Sequence, residues 1–137
     1  METTGRLAPS DPDDARAAYE ALATPASVVT KEVARALEIE DFQERVSAEV
    51  VATARDAIFA SSLAVSVGTR AEFEDWRVEF DGEVVEAGNE NVENVVWHDF
   101  ESVAVAATFQ NEQEAAVATV RRQAFNRLYR DLFYPEE

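Results

Sequence analysis

The longest uninterrupted apolar pattern lies in the last third of the chain. Ser102 to Phe109 carries no charge, with Val103, Val105, Ala107 and Phe109 on one face and Ala104, Ala106 and Thr108 on the other. A strand apolar on both faces belongs in a sheet interior, covered on both sides. Gln110-Asn111-Glu112 breaks the run, and Asn111 with Glu114 has capping-box spacing. From Glu112 to about Phe133 there is no Gly or Pro, so one long helix is expected. At helical period, Val117, Val120, Ala124, Phe125, Leu128 and Leu132 share one arc, with Tyr129 at its edge. Arg121 falls inside that arc. A charge there must find a partner, snorkel, or face a ligand; an ion pair with a carboxylate is the ordinary outcome and an anion-binding arginine the alternative.

Earlier in the chain, Asp11-Pro12-Asp13-Asp14 combines an N-cap, Pro at the first helical position and acids in the first turn. This helix runs to about Ala23 and buries Ala15, Ala18, Tyr19 and Leu22. Thr24-Pro25 opens a second helix through Leu37, with Val29, Val33 and Leu37 as its apolar stripe. Asp41 with Glu44 opens a third helical tract to about Ser61, with a break near Ser47. Leu63 to Val67 has strand character. Thr69 with Glu72 is a further capping box, and Phe73, Trp76 and Phe80 predict a helix from Thr69 to Phe80, in preference to a shorter helix and an extra strand. Strands follow at Glu83 to Ala87 and Val92 to His98, separated by a turn at Gly88-Asn89 and spaced closely enough for hairpins. The connection from Val67 to Glu83 is long enough for a parallel crossover. The chain is thus expected to be a flexible N-terminus (residues 1–10) and a single α+β domain (11–137). A helical N-terminal half precedes β-α-β-β-β-α, giving a two-layer arrangement with the sheet packed by a long C-terminal helix.

Charge changes the picture more than length does. Twenty-eight Asp and Glu oppose twelve basic residues for a formal net charge of −16, and Lys31 is the single lysine. The acids are dispersed through every segment. Such a surface strains the compact state in dilute buffer, whereas in molar salt the screening length falls to about 3 Å. Dispersed acidity with almost no Lys therefore reads as adaptation to a cytoplasm of high salt, not as a nucleic-acid mimic. Direct nucleic-acid binding is disfavoured, with Arg121, Arg122, Arg127 and Arg130 as the one basic cluster that would serve it. No stretch is long and apolar enough for a membrane span, and no targeting pattern is present.

Chemistry-bearing motifs are few. Cysteine is absent, the four glycines are scattered singly, and there is one histidine. Thiolate chemistry, phosphate-cradling glycine loops and the usual zinc sites are thereby excluded, and neither cofactor nor metal is expected. The remaining constellation is Trp97-His98-Asp99 at a strand end, near Glu101. His98 there is a general base oriented by Asp99 or Glu101, one ligand of a carboxylate-rich metal site, or, as the ordinary outcome, a strand-end histidine making a simple hydrogen bond while Trp97 serves as core.

Four stretches carry a family resemblance: VVATARDAIFAS (Val50 to Ser61), GTRAEFEDW (Gly68 to Trp76), NVENVVWH (Asn91 to His98) and ATFQNEQEAAVATVRRQAFNRLYRDLF (Ala107 to Phe133). In these the chain resembles an uncharacterised family of salt-loving archaea, a domain of unknown function. The resemblance implies a haloarchaeal cytoplasmic protein and supplies no activity, cofactor or catalytic residue. Three expectations follow. The first is a non-enzymatic domain acting through protein contacts, with a homodimer as one form. The second is a small-molecule-binding or enzymatic domain holding an anion on Arg121 near His98 and Asp99. The third and weakest is nucleic-acid contact through the C-terminal arginines.

Overall fold

The computed structural model describes residues 1–37, 48–89 and 91–135. The expected helix start at Asp41 and Glu44, and the break near Ser47, lie outside the described residues. In chain order the elements are β1 (Glu2–Thr4), α1 (Pro12–Ala21), α2 (Ala23–Ala36), α3 (Ala48–Ser62), β2 (Val65–Thr69), α4 (Arg70–Glu79), β3 (Glu83–Ala87), β4 (Asn94–Phe100), β5 (Val103–Phe109), α5 (Gln113–Ala124), a π-helical turn (Phe125–Tyr129) and α6 (Arg130–Phe133). The fold is α+β, as the apolar patterns imply.

The strands form one five-stranded sheet in the order β1-β2-β4-β5-β3. β5 lies in its interior between β4, antiparallel, and β3, parallel, in keeping with its two apolar faces. The antiparallel pairs β2–β4 and β4–β5 make β2 and β3 parallel, so α4 is the crossover expected after Val67. β3 does not form a hairpin with β4: β4 pairs β5 on the side away from β3, which leaves β3 at the edge. Glu2–Thr4 adds a further edge strand antiparallel to β2, though nothing in the Glu-Thr-Thr pattern signals one.

Two cores flank the sheet. The larger joins α1, α3 and the C-terminal helix to Val65, Val67, Val96 and Val105, around Phe59, Phe125 and Tyr129. The smaller sets Phe73 of α4 against Val95, Trp97 and Ala106. Burying a large apolar side chain contributes about 1.5–3 kcal/mol, so fully buried Phe59, Phe73, Trp97 and Tyr129 are principal anchors.

Local signals hold at two helix starts. Asp11 accepts from Asp14 N at 2.7 Å with Pro12 at the first position, and Thr69 with Glu72 closes a complete capping box. Two others fail. Thr24 lies within the first turn of α2, which has no side-chain cap. α5 is preceded by Glu112, also without a side-chain cap, so Asn111 caps nothing.

α2 also turns differently from its expected stripe. It buries Ala26, Thr30 and Ala34, a face rotated by about 60° from Val29, Val33 and Leu37 at the helical period. Small side chains allow α2 to approach α3 closely, and the valines are left outside. Val28, Val29, Val33 and Leu37 are 53%, 48%, 53% and 66% exposed.

Candidate functional site

Alternation along β4 decides what its sequence triplet can do. His98 points into the larger core and Trp97 to the opposite face, where it packs on Phe73 and Trp76 at centroid distances of 5.1 and 5.7 Å. Asp99 shares Trp97's parity and is exposed. The three residues are therefore not brought together. His98 instead lies 2.6 Å through Nδ1 from the Ala64 carbonyl and 2.7 Å through Nε2 from the Tyr129 hydroxyl. A carbonyl only accepts, so Nδ1 carries the proton and Nε2 accepts from Tyr129. Burial holds the His98 pKa below its ordinary value, Arg121 acts the same way, and the Ala64 hydrogen bond and Asp99 oppose them. Burial also raises the Tyr129 pKa, with the Asp99 charge adding to it.

The π turn explains why Tyr129 is there. An i→i+5 turn holds more residues per circuit than an α turn, which delays the chain and swings Tyr129 inward from the edge of the arc. Tyr129 becomes fully buried, while Leu128 and Leu132 are only partly so.

Arg121 does not meet a carboxylate. Its Nε donates to Leu63 O at 2.9 Å and an Nη to Thr4 O at 3.4 Å, and no ion pair forms on it among the described residues. The expected structural ion pair is thus replaced by backbone carbonyls from the α3–β2 junction and from β1. Gly5 makes this approach feasible: at φ 103° a Cβ would collide with Leu63 O and stand 2.8 Å from the Arg121 Nη2. Partial burial lowers the Arg121 pKa.

Beside this arginine, α3 and the C-terminal helix enclose an open cavity of about 940 Å³. Arg121, Arg122 and Arg130 line it, with Asn126, Gln113 and Thr53 as polar neighbours and Ala57, Ala60, Val117 and Phe125 as apolar ones. Asp56 and Glu114 line it as well, and Arg127 does not. The C-terminal arginines are therefore interspersed with carboxylates and do not form an unbroken basic face. His98 and Trp97 do not line the cavity. Asp56 also belongs to a cluster that the sequence pattern did not disclose: it accepts from Tyr19 at 2.5 Å and from Tyr134 at 3.0 Å, while Tyr19 stacks on Phe133 at 4.0 Å. The aromatic C-terminus thus packs within the protomer.

Fold and site define an α+β domain with a basic-lined interhelical cavity and a buried, internally satisfied histidine. The chain belongs to a family of unknown function (DUF5809), which matches residues 6–130. Comparisons with curated proteins and with solved structures find no match. Among the described residues, no helix is long and apolar enough to cross a membrane.

Proposed function

We propose that the chain is a salt-adapted, non-enzymatic domain of a haloarchaeal cytoplasm that acts through protein contacts, its partner being a second copy of itself. The observation that carries this reading is the outward apolar ridge of α2. Val29, Val33 and Leu37 recur every four residues along about 12 Å of helix, each roughly half exposed or more. Exposed valines are unremarkable singly, but a contiguous ridge marks a contact surface.

Charge supports self-pairing through this helix. α2 carries Lys31 and Arg35 against Glu32, so it is locally positive in a chain of net charge −16. Two acidic copies repel less at a surface of small net charge than at the acidic remainder, and in molar salt the remaining repulsion is screened within about 3 Å. A twofold axis would set the ridge against itself, the usual form of a homodimer. The non-enzymatic part of the reading is supported by His98, which uses both ring nitrogens inside the core.

Light scattering in molar KCl tests this reading with Val29→Ser/Val33→Ser. The wild type is expected at dimer mass and the variant at monomer mass with unchanged helicity. A monomeric wild type that captures no second copy would overturn it.

A further inference from the structure

The acidic surface makes the basic cavity between α3 and the C-terminal helix informative. Three of the chain's twelve basic residues, Arg121, Arg122 and Arg130, line this one space. None of them forms an ion pair among the described residues, although carboxylates outnumber basic groups by more than two to one. Three guanidinium groups thus gather around one space whose two lining carboxylates, Asp56 and Glu114, pair with none of them.

Each arginine is held differently. Arg121 is fixed by the Leu63 and Thr4 carbonyls through Nε and one Nη, which leaves its second Nη without a protein partner. A guanidinium restrained this way loses little freedom on gripping a ligand. Arg130 stands 5.7 Å from the Phe125 ring centre. Arg122 is exposed on the cavity rim, adjacent in sequence to Arg121.

We infer that this cavity binds a phosphate monoester of a small polyhydroxylated molecule. Guanidinium forks match the oxygens of a phosphate in geometry and charge, and paired arginines suit its double charge better than a single carboxylate. Asn126, Gln113 and Thr53 offer donors and acceptors for hydroxyls, and Ala57 with Phe125 offers apolar surface for the carbon skeleton. Asp56 and Glu114 exclude a long polyanion by repulsion, which limits the ligand to one phosphate group near the arginines. This site is separate from the α2 ridge, and its ligand does not depend on dimerisation.

Titration calorimetry in molar KCl tests the site with ribose 5-phosphate, inorganic phosphate and ribose as probes. Ribose 5-phosphate is expected to bind saturably, more tightly than inorganic phosphate, and ribose not at all. Arg122→Gln and Arg130→Gln each replace an exposed side chain and should weaken ribose 5-phosphate by about tenfold or more, the loss of a charge-assisted contact. Arg127→Gln, outside the cavity, should leave affinity unchanged. The inference is overturned if ribose 5-phosphate shows no saturable binding, if ribose binds equally well, or if Arg127→Gln weakens binding as much as Arg122→Gln. Dimer mass measured on the same samples keeps failure here distinct from failure of the self-association reading.

Discussion

The Tyr129 hydroxyl donates to His98 Nε2 across 2.7 Å, tying the π turn of the C-terminal helix to the centre of β4. The bond fixes the histidine as the neutral Nδ1–H tautomer, because the other nitrogen faces the Ala64 carbonyl. Tyr129→Phe leaves a buried acceptor unmatched and should cost about 1–3 kcal/mol. Chemical denaturation measures that loss, and imidazole nitrogen shifts report the tautomer.

The same histidine makes stability depend on pH. Its folded pKa lies below the ordinary 6.5, chiefly because it is buried. The unfolded chain therefore takes up the proton first, so stability rises with pH through this range. The contribution is complete above about pH 6.5 and is lost as pH falls from there through the folded pKa. Wild type should lose more stability than His98→Gln over that interval, before the carboxylates titrate. Parallel pH profiles for the two proteins would contradict this.

Arg121 and Gly5 act on one contact, the passage of the N-terminal chain over Leu63. Gly5→Ala introduces a collision at a positive φ, and Arg121→Met removes the donor to Leu63 O. Each should destabilise by about 1–3 kcal/mol. Their effects should be less than additive, since neighbours that share a partner couple. Urea midpoints of the two single variants and the double variant decide the matter.

Much of the architecture was legible because packing followed the strongest patterns. Ser102 to Phe109 is the interior strand its two apolar faces require, Asp11 and Thr69 cap the helices they precede, and β4 alternates between Trp97 and His98. The misses share a physical cause: a wheel of fixed period weighs hydrophobicity but not size or register. On α2 it favoured the larger valines, whereas close helix approach selected Ala26, Thr30 and Ala34. On the C-terminal helix it assumed a constant turn, and the π turn moved Tyr129 inward. The candidate site was read least well, since Trp97, His98 and Asp99 are neighbours in sequence but alternate across the sheet. Arg121 interrupts the apolar arc in the sequence, but its backbone partners, one of them on β1, have no sequence signal. The Asp56–Tyr19–Tyr134 cluster joins positions too distant in sequence to register as a motif.

If the acidic surface is an adaptation to brine, the folded state should be weakest in dilute buffer. Self-repulsion among charges that total −16 falls as the screening length shortens from about 10 Å at 0.1 M salt to about 3 Å at 1 M. The thermal midpoint should climb steadily over that range, by calorimetry, in KCl. A midpoint independent of salt would mean that the carboxylates serve recognition.

Sedimentation velocity across a KCl series, from molar salt down to dilute buffer, tests most directly whether α2 joins two copies once their charge is screened. The account predicts a dimer in molar salt that dissociates as salt is withdrawn, and a Val29→Ser/Val33→Ser variant that is monomeric throughout. A wild type that remains monomeric at every salt concentration, or a variant that dimerises as the wild type does, would contradict it.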